Sequence, residues 1–231
     1  MTLNYVGTCL AFSAAPTSSS CVVISCKQVA DVVIDTWRPG ESAWTTHRFK
    51  KCEPSWLWGP GEPAGATHFK NCEPSCHRYW TKCVFSNGVF YCLSTCGHLG
   101  VFDPREATWN LLPVKQCRAF LPDYFCFVTP VHLTEHEGDI FAIYTHQDNS
   151  NPTVFKLNME QNVWDEKRDL GGLTVFTSAS ASFIRSGLSP EVRNRVYPSL
   201  ADTNGKYYSL GDGRSSNPPP SPSLARCVAW V

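Results

Sequence analysis

The sequence predicts an all-β fold: a β-propeller of antiparallel sheets, incomplete at about three to four blades. Three observations point there. Short apolar strands recur between turn signals along most of the 231 residues. The order inside each unit also repeats: turn glycine, apolar strand, turn, apolar strand ending in Asp or Asn, short turn, Trp. Helical periodicity longer than about two turns, with good caps, appears nowhere.

The units can be followed in order. Residues 22–26 read as a short buried strand and residues 31–37 as its partner. Arg38-Pro39-Gly40-Glu41-Ser42 turns the chain toward Ala43-Trp44-Thr45. A second unit begins near Val84. Asn87-Gly88 is a strong hairpin signal, because both residues tolerate positive φ. Strand 89–93 follows, a turn at 95–98, strand 99–103, a turn at 104–108, and then Trp109-Asn110-Leu111-Leu112.

A third unit holds strand material in 124–133, a turn at Glu137-Gly138-Asp139, and strands 140–144 and 153–158. It closes on Trp164. The Trp44–Trp109 and Trp109–Trp164 spacings are about 65 and about 55 residues, near the kelch period of about 50. The fold is therefore kelch-like. A lone four-stranded sheet cannot cover both its faces, and radial stacking covers them and leaves only short edges. Each Trp is thus expected to pack between blades.

Beyond Trp164, residues 170–176 turn into a strand. Residues 194–198 read as an edge strand stopped by Pro198. Residues 206–210 form another strand, and 214–222 a Ser/Pro-rich loop. The domain reading is an N-terminal segment at 1–20, unstructured or part of a truncated blade. The propeller runs over 21–212, with an inserted loop at about 46–80. The Ser/Pro-rich loop and a C-terminal strand occupy 213–231. Inside the insert, Phe49-Lys50-Lys51-Cys52-Glu53-Pro54-Ser55 recurs as Phe69-Lys70-Asn71-Cys72-Glu73-Pro74-Ser75, too short a copy to be another blade.

Composition narrows the function classes. Hydrophobic residues make up 42% and aromatics 13%, which suits a packed β-rich core. Lys plus Arg equals Asp plus Glu at 20 each, so no basic surplus points to nucleic acid, and no polybasic run points to anionic lipid. No apolar run approaches the roughly 20 residues of a membrane span. A signal peptide needs a positive n-region, yet the first basic residue is Lys27. The expected location is therefore cytoplasmic or nuclear, with the cysteines as reduced thiols.

Two metal patterns present themselves. Cys72-x3-Cys76 and Cys92-x3-Cys96 resemble structural zinc spacing, with His68, His77 and His98 nearby. On an extended strand, however, residues four apart lie roughly 13 Å apart. Two sulfurs sharing a tetrahedral zinc must lie within about 4 Å. The remaining metal candidates are Cys72, Cys76 and Cys83, and the preferred reading is no metal and buried free thiols. His132-Leu133-Thr134-Glu135-His136 matches the H-x-x-E-H string of a metalloprotease class, which works only on a helix. Pro130 before it and the hairpin turn after it place it on a solvated strand.

No G-x-S-x-G elbow, Walker loop or G-x-G-x-x-G occurs. Gly211-Asp212-Gly213 is a turn, and Asp139, Asp165 and Asp169 fall at turns and strand ends, where carboxylates usually bind backbone. No catalytic residue and no cofactor are expected, and the chain reads as a non-enzyme.

Taken together, these strings resemble a plant family. Residues 133–143, Leu133-Thr134-Glu135-His136-Glu137-Gly138-Asp139 with Ile140-Phe141-Ala142-Ile143, resemble its "L-x-E-x-x-G-[DE]-hydrophobic" hairpin. Val154-Phe155-Lys156-Leu157-Asn158, Trp164, Asp169-Leu170-Gly171-Gly172 and Val175-Phe176 resemble its next segment. Trp37-Arg38-Pro39-Gly40-Glu41-Ser42-Ala43-Trp44 is similar to its "R-x-G-[DE]-x-x-W" blade end. Asn87-Gly88-Val89-Phe90-Tyr91 and Leu99-Gly100-Val101-Phe102-Asp103 are similar to its central blade. The family is the F-box-associated, kelch-like β-propeller domain (domain of unknown function 295, the KIB group), and the likeness runs from about residue 20 to about 212.

The resemblance implies a protein-interaction domain. Members often carry an N-terminal F-box that docks on a ubiquitin-ligase scaffold, while the propeller recruits the protein to be modified. No helical F-box stretch precedes Val22, so direct scaffold docking is not expected. The matching motifs are structural and carry over no functional residues. Two alternatives stand beside this reading. One is a truncated or degenerate relative with no independent activity. The other is a metal- or redox-responsive protein using Cys72, Cys76, Cys92 and Cys96.

Overall fold

A computed structural model describes residues 9–28, 31–50, 80–94, 97–117, 131–145, 151–178, 181–198, 207–210 and 215–216. The chain divides into two units, Met1–Thr129 and Pro130–Val231. Strands dominate both, and a single 3-10 turn at Pro190–Val192 is the only helical element among the described residues.

The first unit holds two four-stranded antiparallel meanders. One comprises β1 (Cys9–Phe12), β2 (Val23–Gln28), β3 (Val32–Trp37) and β4 (Thr45–Phe49). The other comprises β5 (Trp80–Ser86), β6 (Val89–Ser94), β7 (Leu99–Asp103) and β8 (Thr108–Leu111). Chain order equals spatial order in both, as expected when hairpins join successive strands. Alternation sets the faces: Cys9 and Ala11 point inward, while Leu10 and Phe12 point out. The two sheets share one core, which includes Ile24, Ile34, Trp80, Phe90 and Phe102. Each such side chain, fully buried, contributes about 1.5–3 kcal/mol.

Turn chemistry fixes the strand registers. Asn87 and Gly88 have φ of 51° and 87°, the paired positive values of a two-residue hairpin turn. Glu137 and Gly138 repeat this with 51° and 88°, so the turn is these two residues and Asp139 already opens the next strand. The tryptophan-closing turns repeat too. Phe102 pairs with Trp109 across one turn, and Leu157 with Trp164 across another of equal length. In each, the residue before the returning strand has positive φ, Ala107 at 51° and Asn162 at 54°. Asp103 and Asn158 cap these turns by accepting backbone N–H bonds from Arg105 (2.8 Å) and Gln161 (3.1 Å).

Trp109 packs as expected. Its indole lies 4.9 Å from Trp80, edge to face, and 6.5 Å from Phe49, stacked. Gly100 makes room for it, because a Cβ there would stand 2.2 Å from the indole ring. Trp164 is also buried. Trp44 departs from the expected inter-blade role, being 48% exposed. The connection from β3 to β4 is longer than the other two turns, so Trp44 stays in the loop and never enters β4. His47, inside β4, packs on Phe102 instead, with ring centroids 5.6 Å apart.

The second unit begins with another meander, β9 (Val131–His136), β10 (Asp139–Tyr144), β11 (Thr153–Asn158) and β12 (Val163–Lys167). Its other sheet contains β13 (Thr174–Thr177), β14 (Ser182–Arg185), β15 (Arg195–Tyr197), β16 (Tyr207–Ser209) and β17 (Ser215–Ser216). The order is β14-β13-β15-β16-β17, and β13 pairs with β15 in parallel. This corrects two expectations. Not every sheet is purely antiparallel, and residues 195–197 form a central strand and not an edge. Pro198 can follow because it lies just past the strand end, where no ladder donor is needed.

Asn194 holds this rearranged sheet together. Its side-chain oxygen accepts the N–H groups of Leu170 (3.0 Å) and Gly172 (3.1 Å). Its own N–H reaches Leu173 O at 2.9 Å, and its carbonyl accepts from Leu210 N at 3.1 Å. The φ of 55° suits Asn, which tolerates the left-handed region better than most residues.

Candidate functional site

Two places in the first unit bring chemistry-bearing side chains together. The first is a group of connections between strands. Trp37 Nε1 donates to Glu41 O at 3.0 Å, and Arg38 N donates to Glu41 Oε2 at 2.9 Å, so the β3–β4 loop is folded on itself. Gly40, with φ of 94°, lets it turn back. Arg38 then reaches out, with Nη2 donating to Pro104 O in the β7–β8 turn at 3.0 Å. In that same turn Arg105 lies over Gly88 of the β5–β6 hairpin, close enough that a Cβ at Gly88 would meet Nη2 at 3.7 Å. Three connections therefore meet, and one of them, the β3–β4 loop, carries the exposed Trp44. Exposed aromatics and arginines held by a fixed backbone are what protein-recognition surfaces use most.

The second place is the sulfur corner of the core. Cys9 on β1 lies directly opposite Cys26 on β2, and Cys83 on β5 directly opposite Cys92 on β6. The facing edge strands β1 and β5 bring the pairs together. Cys9 Sγ lies 2.8 Å from Cys83 Sγ, and Cys83 Sγ lies 2.8 Å from Cys92 Sγ. Each of the four thiols interacts with the other three. Their titration is unequal. The thiols of Cys26, Cys83 and Cys92 hydrogen-bond to Cys9 and hold it well below the ordinary thiol range, against the opposing effect of burial. Burial pushes Cys83 and Cys92 well up. Burial likewise lowers Lys82, whose charge the Cys9 thiolate favours.

Among the described residues, no group of three or more His, Cys, Asp or Glu side chains is arranged to hold a metal ion. In the sulfur corner, the Cys9–Cys83 and Cys83–Cys92 separations of 2.8 Å are shorter than zinc ligation requires. Two sulfurs on a tetrahedral zinc lie about 3.8 Å apart, given Zn–S bonds of about 2.3 Å. Of the sequence-stated candidates, Cys83 sits in this corner, while Cys72 and Cys76 lie outside the described residues, as does Cys96. Cys92 faces Cys83 across its hairpin. Cys9 and Cys26 were missed by sequence reasoning. The signal was present, since Cys9-Leu10-Ala11-Phe12 alternates as a strand and Cys26 ends the apolar run beginning at Val22.

The H-x-x-E-H residues lie on β9, a strand and not a helix, so His132 and His136 are placed along one face and not on one helical turn. The strand is half-buried where a solvated one was expected: Val131, Leu133 and Thr134 are covered, and Thr134 Oγ1 donates to Ser182 O at 3.1 Å. The carboxylates serve local structure. Asp139 pairs with Lys156, Asp165 accepts from Asn158 Nδ2 at 3.2 Å, and Asp169 accepts the Gly171 N–H at 2.8 Å. Asp35 is opposed by burial, but Lys27 at 2.6 Å and Thr46 at 2.7 Å hold it below the usual carboxylate range. The duplicated segment lies outside the described residues except for Phe49 and Lys50, and Gly211-Asp212-Gly213 also lies outside them. No helix among the described residues is long and apolar enough to cross a membrane.

Known proteins resemble this chain over most of its length. A family model described as KIB1-4 beta-propeller matches residues 2–217. An F-box/kelch-repeat protein of Arabidopsis thaliana is 46% identical over 207 residues, which cover 86% of this chain and 48% of that protein. Another from the same plant is 35% identical over 212 residues, covering 88% of this chain and 52% of that protein. An Arabidopsis thaliana F-box protein is 35% identical over 179 residues, 77% of this chain and 41% of its own. The chain spans about half the length of the curated relatives it matches.

Proposed function

Because the chain belongs to the KIB1-4 beta-propeller family, we propose that it is a non-catalytic protein-interaction domain, in the cytoplasm or nucleus, that recruits a protein for ubiquitination. The relatives' description as F-box/kelch-repeat proteins supports the ubiquitin connection. The observation that carries the interaction reading is the junction of the β3–β4, β5–β6 and β7–β8 connections, which Arg38 and Arg105 bring together and whose β3–β4 loop leaves Trp44 exposed. An exposed indole on a loop fixed by backbone hydrogen bonds loses little entropy when a partner covers it, so more of its contact area is realised as affinity. The sheets beneath supply rigidity and leave the connections to vary, which is how scaffolds commonly carry recognition.

The test is native affinity purification of the full chain from plant cells, followed by reconstitution of each recovered protein with the purified chain. A stoichiometric binary complex with at least one recovered protein is expected. If no recovered protein binds the purified chain directly, the interaction reading is wrong.

A further inference from the structure

The family reading leaves the sulfur corner unexplained. Three buried thiols and one half-buried thiol could be no more than small apolar packing groups, which is how free cysteines usually behave in cores. Two features argue for more. Packing alone does not require four thiols from four strands to meet each other, when most buried cysteines pack against carbon. Nor does it require sulfurs at 2.8 Å, a separation between the roughly 3.8 Å of shared zinc ligands and the roughly 2.05 Å of a disulfide bond. The crowding therefore favours bond formation between sulfurs over insertion of an ion.

We propose that Cys9 and Cys83 form a reversible disulfide in response to a hydroperoxide, joining β1 to β5 and so locking the two sheets of the first unit together. The chemistry balances with hydrogen peroxide as the oxidant. The Cys9 sulfur attacks the O–O bond, keeps one oxygen as a sulfenic acid and releases the other as water. The Cys83 sulfur then displaces that oxygen, the S–S bond forms, and a second water leaves. Two thiols have lost two protons and two electrons, and one peroxide has become two waters.

The placement of the pair fits this order of events. The neighbouring thiols favour the thiolate of Cys9, and the thiolate is the reactive form. Cys83 lies 2.8 Å away and is raised, so it waits as the resolving thiol. Both residues sit on edge strands of their own sheets, so a small oxidant needs only local separation of β1 from β5, not unfolding of either sheet. Oxidation would join residues 74 apart in sequence. Closing a loop that long restricts the unfolded chain, so the oxidised form should melt at a higher temperature. In a reducing compartment such a bond is transient, which suits a sensor more than a structural staple.

The experiment uses the purified full chain, pre-reduced, exposed to hydrogen peroxide and then alkylated in denaturant. Alkylatable thiols should fall from the full complement of 12 cysteines by a single pair. Tandem mass spectrometry should assign the crosslink to Cys9 and Cys83, and dithiothreitol should restore the full count. The melting temperature should rise on oxidation and return on reduction. Cys9→Ser should abolish the crosslink and the shift, and Cys117→Ser, outside the corner, should leave both intact. If Cys9→Ser fails to fold, the crosslink map of the wild-type chain decides alone. A different pairing, a full thiol count after peroxide, or stoichiometric zinc on the purified chain would each overturn the proposal.

Discussion

The two units solve the same problem with different materials. Each stacks four-stranded or larger sheets that cannot cover themselves. The first unit keeps chain order in both sheets and fills its core with large aromatics and four thiols, around Trp80, Phe90 and Phe102. The second breaks chain order in one sheet, inserts β15 parallel to β13, and fills its core mainly with aliphatic groups such as Ile143, Val154, Val175 and Val196. Where order is kept, turn residues suffice to set register. Where it is broken, a single side chain with long-range hydrogen bonds, Asn194, does that work.

The largest expected effect tests the first unit's packing. Gly100→Val would drive a branched side chain into the Trp109 indole, which already leaves a Cβ only 2.2 Å. Trp109 packs on Trp80 and Phe49, so moving aside would give up both ring contacts. Overpacking of this kind costs about 3 kcal/mol, and the check is urea unfolding followed by Trp fluorescence. An unchanged midpoint would mean that Trp109 is loosely held.

The next effect tests the second unit's dependence on a polar hub. Asn194→Ala leaves the Leu170 and Gly172 N–H groups without their acceptor and places Ala at φ of 55°. A loss of about 2 kcal/mol is expected, measured by the same unfolding experiment. Asn194→Asp, which keeps the acceptor oxygen, should recover most of it. Equal loss in both variants would remove the hub from the account.

The same contrast explains what was legible in the sequence. Asn87-Gly88 and Glu137-Gly138 were readable because local φ requirements write themselves into adjacent residues. Trp109 and Trp164 were readable because equal turns place them in equal register. Trp44 carries the same letter but follows a longer connection, and nothing in the residues themselves reveals that it stays outside the strand. The central position of β15 was hidden because it depends on Asn194 bonding residues more than 20 positions away, and Pro198 pointed to an edge. The sulfur corner was hidden for a similar reason. Spacing rules find ligands within one loop, whereas Cys9 and Cys83 meet only when two sheets stack.

Trp44 in the first unit and Met159 in the second give the most direct test of the interaction reading. Both are exposed apolar side chains in connections between strands, at 48% and 47%, so substitution of either should change stability by no more than about 0.5 kcal/mol. Of the two, Trp44 lies in a connection that is tied to a neighbouring one, through Arg38 and Pro104 O. The measurement is the affinity of the reconstituted partner for Trp44→Ala and Met159→Ala chains, by calorimetry. The account predicts a loss of about 30-fold or more for Trp44→Ala, the size of a recognition hot spot, and wild-type affinity for Met159→Ala. Wild-type affinity in the Trp44→Ala chain would contradict it.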